Sequence, residues 1–174
     1  MRSTGIVRRM DELGRVVIPK ELRRIMRIKE GEEIEVTQKD DTLILRKYSA
    51  VSEMIDFQME YALSVYRTTG YTAIITDNDR VVAVSGDLVR LSAGSPITEN
   101  LREIVERRKA ESYMGSEMIS FFGGRLDGVK GQVVVPIIVR GDVMGAVVLY
   151  SKKIPNETLL KTAETGAHFI GSRL

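Results

Sequence analysis

Seven basic side chains near the start of the chain have the type and spacing to do chemistry: Arg8, Arg9, Arg15, Lys20, Arg23, Arg24 and Arg27. Six are arginine, whose planar guanidinium donates two parallel hydrogen bonds to a phosphate or to the edge of a guanine. They lie between short apolar runs, in a segment too small to hold an ordinary core. Residues 1–29 carry nine Lys/Arg and three Asp/Glu, a net +6. Residues 30–50 carry three bases and six acids, a net −3, and the whole chain of 174 residues is only +2. A basic opening on an otherwise near-neutral protein is a local field that attracts polyanions.

The elements that must position these arginines can be read from the pattern. Gly5 to Met10 is a candidate strand, Asp11-Glu12-Leu13-Gly14 a turn, and Arg15 to Ile18 a second, β-branched strand. Pro19 ends it and suits the first turn of a helix, which the pattern runs from Lys20 to Ile28 with Gly31 closing it. At about 100° per residue, with Leu22 at zero, Met26 falls at about 40° and Ile25 at about 300°. Arg23, Arg27, Lys20 and Arg24 fall near about 100°, 140°, 160° and 200°, so the four bases share the opposite face. Simple solvation is the alternative reading of such a face. Against it, three of the four are arginine and no acid shares their sector. Glu33 to Gln38 and Thr42 to Lys47 read as a hairpin across Lys39-Asp40-Asp41.

A unit of some fifty residues buries at most roughly 60% of the surface its unfolded chain exposes. With no cysteine, it has no disulfide to help. Association is the remaining route to a core, so interleaved strands from two chains are expected. Two-fold pairing would also match a duplex. Single-strand and RNA binders stack bases on aromatics. Here Tyr48 is the only aromatic residue before the connecting segment, so double-stranded DNA is the favoured partner.

Residues 51–70 read as a connecting helix with a Ser49 or Ser52 cap and Gly70 as its stop. An α/β domain follows over 71–174. Its strands are placed at Thr72–Thr76, Arg80–Ser85, Gln132–Val139 and Val143–Ser151, with an edge strand at Met118–Phe122. Its helices are placed at Ile97–Lys109 and Asn156–Arg173. The glycine-rich stretch Phe121–Gly131, with Gly123, Gly124, Gly128 and Gly131, reads as a mobile loop.

Enzyme signatures are thin. His168 is the only histidine, and nothing marks a nucleophile elbow. One histidine and no cysteine argue against zinc. Asp77-Asn78-Asp79 reads first as a turn, and there is no Walker A or Gly-x-Gly-x-x-Gly run. The chain is therefore expected to have no catalytic residues, no metal and no cofactor. No long apolar stretch opens it or could cross a membrane, so a cytoplasmic protein is expected. The Asn156-Glu157-Thr158 sequon reads as chance in that setting.

The stretch Thr4-Gly5-Ile6-Val7-Arg8-Arg9 through Leu13-Gly14-Arg15-Val16-Val17-Ile18-Pro19-Lys20-Glu21-Leu22-Arg23 resembles the AbrB-like transition-state regulators. Its continuation through Lys47-Tyr48-Ser49 into a larger domain is similar to the SpoVT-type members of that family. Val133-Val134-Val135-Pro136-Ile137 and Gly141 to Val148 resemble the central hairpin of a GAF domain. The resemblance implies an α+β protein: a dimeric swapped-hairpin barrel from residues 1–50, a helix over 51–70, and a GAF-like α/β domain over 71–174. It implies duplex DNA contact by Arg8, Arg15, Arg23 and Arg24; charge and helix angle add Arg9, Lys20 and Arg27. It also implies tetramers built through helices of the second half, a small-molecule effector of unspecified identity, and a bacterial, nucleoid-associated regulator of sporulation genes. An AbrB-fold antitoxin and a metabolite-binding GAF protein are the rival expectations.

Overall fold

The computed structural model describes residues 5–87, 90–123 and 126–174. Gly124, one of the glycines singled out in the sequence, lies outside them. The chain divides into two units, residues 1–48 and 49–174.

The first unit holds one helix, α1 (Lys20–Ile25), and one hairpin, β1 (Ile34–Lys39) and β2 (Thr42–Lys47). Helix α1 starts after Pro19, whose φ of −55° is already helix-compatible. It stops earlier than the periodicity suggests. Met26 caps it and Arg27 turns left-handed at φ 54°, so Arg27 and Ile28 fall outside the helix. The hairpin register pairs Val36 with Leu45 and Gln38 with Leu43, placing Ile34, Val36, Leu43 and Leu45 on one apolar face. The other face carries the Glu35–Arg46 ion pair.

The expected strands at Gly5–Met10 and Arg15–Ile18 are not strands within this chain. A strand needs a neighbour to take its backbone hydrogen bonds. The bonds formed here, Asp11 N to Arg15 O (3.0 Å) and Gly14 N to Asp11 O (3.0 Å), close a turn instead of a ladder.

The second unit is a five-stranded antiparallel sheet between two layers. Its order is β4-β3-β7-β6-β5, from β3 (Thr72–Thr76), β4 (Val81–Ser85), β5 (Glu111–Met114), β6 (Gly131–Val139) and β7 (Asp142–Ser151). Arg140 and Gly141, both at positive φ, make the tight β6–β7 turn. Residues 51–70, expected as a single connecting helix, form α2 (Ala50–Glu53) and α3 (Ile55–Thr69). Ser49 caps α2 by accepting from the Ser52 amide, and Gly70, left-handed at φ 73°, ends α3. Val51, Ala62 and Val65 join Leu159, Ala163, Ala167 and Ile170 of α5 (Glu157–Gly171) on one face of the sheet. These helices therefore belong to the second unit's core. Gly166 permits the close approach of α5 to α3: a Cβ there would sit 2.0 Å from the Tyr61 hydroxyl, which donates to Thr162 O at 2.9 Å.

The opposite face is covered by α4 (Glu99–Glu106), through Leu101, Ile104 and Val105, and by irregular chain bearing Phe121 and Val129. The edge strand is Glu111–Met114 and not Met118–Phe122. Phe121 instead plugs the core, fully buried. Among the described residues no helix is long and apolar enough to cross a membrane.

Candidate nucleic-acid interface

The basic residues of the first unit are carried by three neighbouring pieces of backbone. Arg8 and Arg9 lie on the irregular segment before the 11–14 turn, and Arg15 follows that turn. Lys20, Arg23 and Arg24 lie on α1, and residues three or four apart on a helix share a face. All six are exposed, as is Arg27 at the left-handed turn beyond the helix. Arg23 and Arg24 occupy the last helical turn, where the backbone dipole favours positive charge, while Glu21 sits in the first. The helix thus holds its cations without needing acidic neighbours on their face.

Asp11 organises the turn, a role the sequence reading missed. One of its carboxylate oxygens accepts from the amides of Leu13 (3.0 Å) and Arg15 (2.8 Å), and the other accepts from Arg15 Nε at 2.7 Å. These bonds hold the Asp11 carboxyl below the ordinary carboxylate range, the Arg15 amide contributing most and the Arg15 guanidinium next. The legible signal was Asp at the head of a turn that ends in Gly14 (φ 74°), the position from which Asp bonds amides ahead of it. Arg15 is therefore tethered at Nε while its side chain stays 72% exposed.

Two of the six acids of residues 30–50, Glu32 and Glu35, pair with bases of β2. Lys47 pairs with Glu32 at 2.7 Å, and Arg46 pairs with Glu35, lowering the Glu35 carboxyl. The apolar side chains of this unit remain in solvent. Between residues 5 and 48 Pro19 is the one buried residue, while Val7, Leu13, Val17, Ile25, Val36 and Leu43 are each more than half exposed. The predicted apolar face of α1 is there, with Leu22 at 37%, Met26 at 39% and Ile25 at 75% exposure, so the described residues cover it only in part.

In the second unit, His168 is exposed on α5. Asp77 and Asp79 serve their turn: Asp77 accepts from the amides of Asp79 and Arg80, both at 2.7 Å, and Asp79 pairs with Arg102 at 3.2 Å.

Comparison with known proteins bears on both units. Residues 53–174 match the family described as stage V sporulation protein T C-terminal, transcription factor. Residues 7–52 match the family described as antidote-toxin recognition MazE, bacterial antitoxin. Stage V sporulation protein T of Bacillus subtilis (strain 168) is 39% identical over 176 residues, covering 100% of this chain and 99% of that protein. The transition state regulatory protein AbrB of the same organism is 58% identical over 48 residues, 28% of this chain and 50% of AbrB. Among solved structures, the GAF domain region of a protein from Geobacter sulfurreducens PCA superposes with a TM-score of 0.55 at 17% identity, over 69% of this chain and 91% of that one. The fold is α+β, with an AbrB-like first unit and a GAF-like second. By the match across its second unit and the identity along its whole length, the chain belongs to the stage V sporulation protein T family of transcription factors.

Proposed function

We propose that this chain is a transcription regulator of sporulation genes, and not an enzyme, which binds duplex DNA through residues 1–50 and assembles through both units. The observation that carries the reading is that the described residues of the first unit bury only Pro19 while Arg8, Arg9, Arg15, Lys20, Arg23, Arg24 and Arg27 all stand in solvent. Exposed apolar faces on α1 and on the β1–β2 hairpin need a second copy to cover them, since each buried Leu, Ile or Val contributes about 1.5–3 kcal/mol. In this reading the extended segments 5–10 and 15–18 find their strand partners in that copy, completing a swapped-hairpin barrel. Arg8, Arg15, Arg23 and Arg24 of each chain then meet one duplex, with Arg9, Lys20 and Arg27 in support. Arginines delivered by a rigid barrel read groove shape and deformability as much as base identity.

The second unit, α2 and α3 together with the GAF-like region over 71–174, has two parts in this proposal. It joins dimers into tetramers, for which Ile55, Met59 and Leu63 offer an exposed stripe at four-residue spacing on α3. It also senses a small molecule. Linking two DNA-binding heads raises their effective concentration on one duplex. Such a protein would act in the bacterial cytoplasm, at the nucleoid.

The match of residues 7–52 to an antitoxin family favours a second reading, in which this unit serves a toxin–antitoxin pair. The regulator is preferred because a folded unit of known family follows it, where an antitoxin would neutralise its toxin through a disordered tail. A gel-shift salt series tests the proposal. If a dimer neutralises roughly 6–8 phosphates, log K should fall with log salt at a slope of about −5 to −7, and a flat response would refute it.

A further inference from the structure

Lys20, Arg23 and Arg24 ride on α1 and Arg27 follows it, so the angle of this helix to the hairpin decides where these cations point. The helix closes on a hydrogen-bonded turn. The Arg27 amide donates to Arg24 O at 3.2 Å and the Ile28 amide to Arg23 O at 2.8 Å, with Arg27 left-handed at φ 54°. That is the bonding of a Schellman end, in which glycine usually takes the left-handed position. A residue with a Cβ is disfavoured there, because the Cβ crowds the following carbonyl oxygen. Such a conformation persists when neighbouring structure holds it in place.

The hold comes from β2. Lys47, the last residue of that strand, lies opposite Ile34 in the register and continues the row of Leu43 and Leu45 on the hairpin's apolar face. Its ammonium reaches Arg27 O at 3.5 Å and pairs with one carboxylate oxygen of Glu32 at 2.7 Å. The other carboxylate oxygen of Glu32 accepts from the Lys29 amide at 2.8 Å, and the Glu32 amide donates back to Lys29 O at 3.4 Å. The pair thus grips the backbone at Arg27 and again at Lys29. The strand end that carries Lys47 is itself pinned, since the Tyr48 amide donates to Glu33 O at 3.0 Å.

Two features set this pair apart from Arg15–Asp11 and Arg46–Glu35. Its side chains are 20% and 23% exposed, where Arg15 and Arg46 are 72% and 64% exposed. A partly shielded pair is screened less by salt. It also ties the end of a helix to a strand, whereas Arg15–Asp11 stays within one turn and Arg46–Glu35 within one hairpin. The Lys47 ammonium is directed at Glu32 and Arg27 O, and so inward to the turn.

We propose that Lys47 and Glu32 are positioning residues for duplex binding, which clamp the left-handed turn after α1 to β2 and so aim Arg23, Arg24 and Arg27 without touching DNA themselves. The inference rests on the duplex-binding role given above to the first unit and adds the residues that set the angle of its helix. A guanidinium holds a phosphate well only when its fork meets the oxygens in line. With the clamp released, the helix samples many angles, and binding must then order it at a cost in affinity.

The test turns on a sign. Glu32→Ala and Glu35→Ala each remove one acid, so each makes the chain more positive by one charge. If charge alone mattered, both would tighten duplex binding. The clamp separates them. Glu35→Ala should leave affinity unchanged or raise it by up to about twofold, whereas Glu32→Ala should weaken it about fivefold and make the salt slope shallower by about 1 to 2. Lys47→Met, which keeps an apolar stem, should weaken binding to a similar extent. The double variant Glu32→Ala, Lys47→Met should fall within about twofold of either single one, because both act through one clamp. Fluorescence anisotropy of the full chain on a labelled duplex across a salt series reads these effects. Equilibrium sedimentation of the same samples should show the wild-type assembly throughout.

The proposal is overturned if Glu32→Ala binds as tightly as Glu35→Ala, or if the loss in the double variant is the product of the two single losses, the mark of a separate phosphate contact by Lys47. It is also overturned if Glu32→Ala or Lys47→Met breaks the assembly, which would make the pair a brace of the fold. A wild type that binds duplex alongside an equally tight Glu32→Ala refutes the clamp alone; a wild type that ignores duplex refutes the regulator and the clamp with it.

Discussion

The two units of this chain solve the problem of a hydrophobic core in opposite ways. The described residues of 49–174 bury 28 apolar side chains, from Val51 to Ile170, and Pro136 besides, on both faces of one sheet. Residues 5–48 bury Pro19 alone and leave Val36, Leu43 and Leu45 of their hairpin between 45% and 61% exposed. The second unit has length enough to wrap helices around a sheet, while the first has one six-residue helix and one hairpin. A small unit that takes its core from a second copy gains something in return. In the proposed dimer its cations would be doubled about a two-fold axis, which is the symmetry of a duplex half-site pair. Self-sufficiency in one unit and incompleteness in the other fit the proposed division between assembly or sensing and DNA contact.

The largest expected effect sets exposure in one unit against exposure in the other. Leu45→Asp should abolish dimerisation and unfold the first unit, costing at least about 3 kcal/mol, because the proposed barrel would place Leu45 in its core. Ile154→Asp, at a side chain 66% exposed in the second unit, should change stability by no more than about 0.5 kcal/mol. Equilibrium sedimentation and denaturant titration of both variants check this, and equal tolerance would erase the contrast. A stably folded, monomeric 1–50 fragment would do the same.

Next in size, the double substitution Arg23→Ala, Arg24→Ala should weaken duplex binding by at least about 30-fold. It should flatten the salt slope by about 2 to 4 and leave the melting of the second unit unchanged. Fluorescence anisotropy across a salt series would read both. Unchanged affinity would move the interface off α1.

Within the second unit, Gly166→Ala should cost about 1–3 kcal/mol by driving a methyl into the Tyr61 ring, with no effect on dimerisation of the first unit. Chemical denaturation measures it. A neutral result would show that α3 and α5 slide apart freely.

The smallest effect is acid titration of the Asp11 turn. A carboxyl depressed in the folded state contributes order above its unfolded value of 3.8 and loses it as pH falls through the folded one. The amide resonances of Leu13 and Arg15 should therefore move with a midpoint below 3.8, while core resonances such as that of Val148 hold still. A midpoint at or above 3.8 would remove Asp11 as organiser of the turn.

Particular residues show how far the pattern could be read in advance. The Thr72–Thr76 strand, the Gly70 stop and the Arg140-Gly141 turn were legible because each depends on local chemistry: β-branched residues, a left-handed glycine, a two-residue hairpin loop. The edge strand was misplaced. Glu111-Ser112-Tyr113-Met114 buries one face only and carries little apolar alternation, while Met118–Phe122 is apolar because Phe121 fills the core under α4. The buried cross-strand pair of Gln132 and Tyr150 was not visible at all. The two residues lie 18 apart in sequence and meet only through the register of β6 and β7.

What the sequence by itself determined is the partition of charge, the basic face of α1 and the hairpins, since composition, periodicity and turn residues act within a few neighbours. Only the tertiary structure decided that α3 packs on the sheet and that a buried amide faces a buried phenol. Each of these depends on which distant strands and helices come into register, and that follows from packing of the whole unit and not from any local preference.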